Sequence, residues 1–220
     1  MRPADKHGRK RRDVAELAVG YALILIVIWT PHPWQRLLYC AAAVFLASVL
    51  AISFDGWKQM GLRTANFARS IWVVGAALLG CAIALVLAAR MHTLQWPGGP
   101  TLFLHRYLGY GIWAVVQQVL LQNFFLARLL RLMRGPGSAA LAAAAIFSLA
   151  HLPNPILTVG AFVWGLAACL LFLRYRNLYP LAITHAILGI TLAMTVPGPV
   201  VRNMRVGLGY LTYSANHLNH

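Results

Sequence analysis

Apolar runs at or near the ~18–20 residues needed to cross a bilayer recur along the whole of this chain. They fall at about 14–30, 37–54, 71–89, 105–134, 139–151, 156–173 and 178–196. Inside lipid a backbone has no water to bond to, so segments of this length must satisfy their own N–H and C=O groups as helices. Charged residues make up 10% of the chain and hydrophobic ones 60%, whereas a soluble domain carries roughly 25% charged residues. The pattern predicts an all-α, polytopic membrane bundle of about seven transmembrane helices. The expected divisions are a basic, disordered cytoplasmic arm at 1–13, a transmembrane domain at 14–197, and a tail at 198–220 of no clear character.

The formal charge of +15 would suggest nucleic acid in a soluble protein. Here the bases sit in the arm and the short loops, where they set topology and meet anionic headgroups; no nucleic-acid-binding motif accompanies them. The expected surroundings are therefore the bilayer and not nucleic acid. The arm packs six Lys or Arg into its first twelve residues. It precedes an apolar run that no small-x-small cleavage site closes, which reads as an uncleaved signal anchor. Counting connectors from a cytoplasmic arm, the even-numbered ones carry Lys58, Arg63 and Arg69, then Arg128, Arg131 and Arg134, then Arg174 and Arg176. The odd-numbered ones carry little beyond Arg36 and Arg90. The N-terminus is therefore expected inside and the C-terminus outside, with Arg202 and Arg205 of the tail as the exception. The connector at 54–70 reads as an ordinary amphipathic interfacial loop. Ala, Leu and Arg bias suggests a bacterial cytoplasmic membrane.

Cys40, Cys81 and Cys169 lie on three different apolar runs and form no CxxC, so neither a disulfide framework nor a zinc site is indicated. The acids constrain chemistry more sharply. They are Asp5, Asp13, Glu16 and Asp55, and none follows Gly56. Paired-carboxylate acid–base chemistry, carboxylate-held metals and Ser-His-Asp triads built from the later runs are excluded. Only Glu16 or Asp55 could reach in from elsewhere. A metal held by histidines and glutamine oxygens alone lacks an anionic ligand and is not expected; no cofactor is indicated.

Within the fourth run, residues 113–134, stand Gln117, Gln118, Gln122 and Asn123. Polar groups that deep need partners on other helices and mark a buried site, or serve as interhelical glue. Gln118 and Gln122, four apart, share a helix face, and Gln117 lies on its flank. Two histidines belong with them: His151 at the end of the fifth run, one turn after Phe147, and His185 inside the seventh. Read together, these groups point to a functional or once-functional site.

The order of these features resembles the CPBP family, the CAAX-protease and bacteriocin-processing (Abi) intramembrane endopeptidases. That family carries E-E-x-x-x-R, then F-x-x-x-H, then H-x-x-x-N or H-x-x-x-D. Here the first motif reads Gln117-Gln118-Val-Leu-Leu-Gln122, the second is kept as Phe147-Ser-Leu-Ala-His151, and the third keeps His185 but has Gly189 four later. The resemblance spans about 55–196, helped by MGLR before the third run and NLYPLAITHA leading to His185. It implies that Gln117, Gln118, Gln122, His151 and His185 occupy the catalytic positions. In the family a glutamate activates water while histidine and asparagine groups stabilise the oxyanion. A glutamine oxygen is too weakly basic for the first task, though its amide can orient water or donate to an oxyanion.

Three readings follow. The chain is a CPBP-like scaffold that holds a membrane-embedded or lipidated peptide without cutting it, with a cavity lined by those five residues. Alternatively it is an active endopeptidase in which a neutral histidine is the base. Or it is a structural or assembly subunit whose amides close a core.

Overall fold

The computed structural model describes residues 3–213, and side chains from residue 7 onward; residues 214–220 of the tail and the side chain of Asp5 lie outside the described residues. The described chain is all helix and connection, with no strand. In chain order the helices are α1 (Pro3–Trp29), α2 (Trp34–Ile52), the single turn α3 (Phe67–Ser70), α4 (Trp72–Arg90) and α5 (Pro100–Val119). A π-helical segment, Leu120–Leu126, leads into α6 (Ala127–Leu132). Then come α7 (Pro136–Leu149), α8 (Pro155–Tyr175), α9 (Tyr179–Thr195), α10 (Gly198–Val201), a 3₁₀ turn (Arg202–Met204) and α11 (Gly207–Leu211). Several helices start at a proline, namely Pro100, Pro136 and Pro155, with Pro180 second in α9. There a missing N–H costs nothing and the fixed φ already suits a helix.

Trp34–Ile52, Phe67–Arg90, Pro100–Leu132 and Pro155–Tyr175 are long and apolar enough to cross a membrane, and Pro136–Leu149 and Tyr179–Thr195 are shorter apolar helices. Their exposed faces are apolar: Leu78, Leu79, Ile83, Val86 and Leu87 on α4, and Val159, Val163 and Leu170 on α8, all stand open. Only lipid makes so much apolar exposure favourable. The fold is the expected all-α membrane bundle.

The arm differs from expectation. Helix α1 begins at Pro3, so the basic stretch runs in helix rather than as disorder. Likewise the tail is built into α10, the 3₁₀ turn and α11.

The chain divides into two compact units. The first comprises Met1–Asp55, Leu121–Leu170 and Val206–Tyr213. Within it α1 packs on α2, α6 and α11, and α6 on α7. Ala139, Ala140, Ala143 and Ala144 are fully buried on α7, and small residues there allow close approach. A Cβ on Gly165 of α8 would meet the Phe147 ring at 3.2 Å.

The second unit comprises Gly56–Leu120 and Leu171–Arg205. In it α9 packs on both α4 and α5. The connector before α4, expected as an ordinary interfacial loop, is pinned to the turn before α9. Leu178 N donates to Gly61 O (2.9 Å), Asn177 Nδ2 to Arg63 O (3.2 Å) and Tyr179 Oη to Leu62 O (3.1 Å). Asn66 Nδ2 adds a bond to Tyr175 O at 3.0 Å. The two stretches that flank the family-like motifs, MGLR and NLY, are thus partners. Gly61 is required there: its φ is +72°, and a Cβ would lie 2.6 Å from the Phe172 ring and 3.1 Å from Leu178 N.

Candidate functional site

Among the second unit's buried residues, Gln118 of α5 is fully buried and His185 of α9 is 8% exposed. Gln118 Nε2 lies 3.1 Å from His185 Nδ1. An amide nitrogen has no lone pair to offer, so it donates, and Nδ1 is the accepting, unprotonated ring atom. The proton of neutral His185 is then on Nε2. Gln117, the flanking residue, is only half-buried and takes no part in that bond. One turn beyond His185, Gly189 lies against Tyr110 of α5: a Cβ built on Gly189 would collide with the Tyr110 hydroxyl. The phenol thus occupies space that a side chain at 189 would need. Tyr110 carries no signal that a single sequence could have shown.

The first unit holds the other candidates. Gln122 sits in the π-helical segment, 1% exposed, within hydrogen-bond reach of the buried Cys169 thiol. Short π segments inside helices are often found at functional sites. His151 lies in the turn after α7, with Nδ1 2.9 Å from Phe147 O and its ring 5.0 Å from the Phe147 ring, edge to face. A carbonyl only accepts, so Nδ1 carries the proton and the lone pair of His151 is on Nε2. The two histidines therefore hold opposite tautomers, protonated at Nε2 in His185 and at Nδ1 in His151. Three residues on, fully buried Asn154 accepts from Leu157 N at 3.2 Å and so caps the start of α8.

Of the two carboxylates that could have reached in as a base, Glu16 is occupied elsewhere. Arg128, expected as a loop cation, has a wholly buried side chain, and its Nη2 is 2.8 Å from Glu16 Oε2. The same guanidinium donates to Phe124 O at 3.1 Å and Ser53 Oγ at 3.1 Å. Arg131 donates to both oxygens of Asp13, at 2.9 and 2.6 Å. Glu16 also accepts from Arg12 Nε at 2.7 Å.

Neither of the two principal cavities is lined by the five motif residues. One, of about 540 Å³, lies among the charges of α1 and the end of α2, beside Arg12, Glu16, Asp55 and Arg131. The other, of about 310 Å³, opens between α5 and α9 beside Tyr110 and Gly189. Among the described residues no group of three His, Cys, Asp or Glu is placed to hold a metal.

Compared with known proteins, residues 100–191 match the family model described as "Type II CAAX prenyl endopeptidase Rce1-like". No curated relative and no solved structure matches the chain. The matched stretch contains every position of the three motifs, from Gln117 to Gly189. The chain is an integral membrane protein whose residues 100–191 are similar to the Rce1-like CAAX prenyl endopeptidases, a likeness that supports its place in the CPBP family.

Proposed function

We propose that this chain is a CPBP-like protein that holds a membrane-embedded or lipidated peptide and does not hydrolyse it. The observation that carries this reading is the Gln118–His185 bond, 3.1 Å long and buried. At a position where the family has a glutamate base, an amide instead donates to the imidazole. The ring nitrogen that could have taken a proton is used up, so this imidazole is not poised as a base. Within the second unit, Gln118 and His185 would bind and orient a peptide group, with Gln117 beside them. The Ala-, Leu- and Arg-rich composition supports a bacterial cytoplasmic membrane as the location.

A second reading, an endopeptidase of altered mechanism, draws on the Nε2 lone pair of His151. In that reading His151, not His185, is the base towards water.

The test uses the purified chain in lipid nanodiscs and a fluorescent peptide ending in a prenylated CAAX sequence. We expect a rise in anisotropy that saturates with protein, and an intact peptide by mass spectrometry after prolonged incubation. Cleavage that His151→Ala abolishes would establish the second reading. Neither binding nor cleavage would leave these amides as helix–helix glue in a structural subunit and overturn the proposal.

A further inference from the structure

The cavity of about 310 Å³ between α5 and α9 is of a size that takes small ligands, and its lining has two unusual features. The first is Arg106. No Asp or Glu exists anywhere from residue 56 to 220, so this guanidinium has no carboxylate within its own compact unit. Its recorded contact is with the Tyr107 ring, 5.7 Å away. The second is Tyr107 itself, 6% exposed, whose hydroxyl has no hydrogen-bond partner among the described residues. Buried phenols are nearly always bonded, so this hydroxyl, enclosed beside the cavity, is a donor left without an acceptor.

Both groups are donors, and they are adjacent in sequence. What they lack in common is an oxyanion. Asn203 adds a further polar group to the same wall, held at φ +47° in a turn where Arg202 and Met204 are also left-handed. Non-glycine residues pay for that conformation, and runs of them persist where the surroundings require it. The rest of the wall, including Ile190 and Ala193, is apolar. Arg106 in this lining is itself exposed, so the cavity can be reached from outside the protein.

The geometry points to a binding site for an anionic amphiphile, with one carboxylate or phosphate head held by the Arg106 guanidinium and the Tyr107 hydroxyl, and an apolar chain along Ile190 and Ala193. Gly189 is the one motif position in this lining; the residues assigned to head and chain lie outside the motifs, so the site is independent of whether the chain cuts or holds a peptide.

The experiment follows thermal unfolding of the full chain, by tryptophan fluorescence, in zwitterionic phosphatidylcholine nanodiscs. Dodecyl phosphate and laurate are added separately, with inorganic phosphate to separate an amphiphile from a free anion. The variants are Arg106→Gln, Tyr107→Phe and, as a control for general surface charge, Arg90→Gln. At about a hundredfold over the dissociation constant, an amphiphile that binds should raise the midpoint by about 5 °C. The expected result is that shift in wild type and Arg90→Gln, a smaller one in Tyr107→Phe, and its loss in Arg106→Gln. Because Arg106 is exposed, its replacement leaves the ligand-free midpoint unchanged. An undiminished shift in Arg106→Gln, or no shift with either amphiphile, overturns the site. An equal shift with inorganic phosphate alone overturns the amphiphile.

Discussion

Replacing Gln118 tests what its amide does, because the residue is fully buried and faces His185 Nδ1 at 3.1 Å. Gln118→Leu keeps the volume and removes the donor. The stranded Nδ1 should cost about 1–3 kcal/mol, with the lower end favoured because polar pairs within membranes average ~0.6 kcal/mol. A drop of several degrees in unfolding midpoint checks this; no change would mean the bond is idle. His151 and His185 were legible in the sequence because histidines in apolar runs stand out, and Gln118 because a polar pair there must find partners. The opposite tautomers were not legible, since each is set by whichever group reaches Nδ1. The packing of Tyr110 against Gly189 was equally hidden: glycine at 189 reads as a loss until the phenol is seen in its place.

Between elements, two contacts are decisive. Arg128 is wholly buried against Glu16, whose side chain is 12% exposed. Removing one partner leaves a buried guanidinium uncompensated, so Glu16→Ala should cost about 3 kcal/mol, at the low end for a buried pair because Glu16 retains some solvent. Replacing both, Glu16→Ala with Arg128→Met, should cost less than the sum of the singles, as measured by a double-mutant cycle in denaturant. Strict additivity would show that the pair is not coupled. The sequence showed that Glu16 was among the few acids able to reach the later helices, but not that an arginine at the end of the fourth span would claim it. Periodicity registers Arg128 as a loop cation; only packing shows that α1 covers it. The second contact joins MGLR to NLY. Gly61→Ala combines a left-handed φ, about 1–2 kcal/mol for a residue with a Cβ, with a clash against Leu178 N. We expect a loss of more than 2 kcal/mol, or failure to accumulate in the membrane, with Lys58→Ala in the same connector as a neutral control. The π turn at Leu120–Leu126 had no signature in the sequence, since apolar spacing barely distinguishes it from α-helix.

Across the whole molecule, contacts within each unit agree with the alternation of seven spans. In the second unit the connector before α4 bonds the turn before α9, and the loop after α4 bonds the end of α9 through Gln95 N to Met194 O (2.8 Å) and Thr93 Oγ1 to Thr195 O (3.0 Å). In the first unit the inner end of α1 meets Arg128 and Arg131, Arg128 also donates to Ser53 Oγ, and Gly207 N donates to Leu152 O at 2.8 Å. Each joins ends that seven alternating spans place on one side. The charge rule then sets the direction, and single-cysteine labelling from outside checks it: probes at Gly98 should react in intact cells and probes at Lys58 should not. Reversed accessibility would overturn the orientation. Spans and family were legible because bilayer thickness and motif order act through residue type alone.

The claim of a CPBP scaffold that holds without cutting is tested most directly in cells. New protein N-termini would be compared among cells expressing the wild-type chain, His151→Ala and His185→Ala, at equal membrane abundance. The account predicts three indistinguishable profiles. Termini that arise with the wild type and vanish in both variants would contradict it, and would name the substrate.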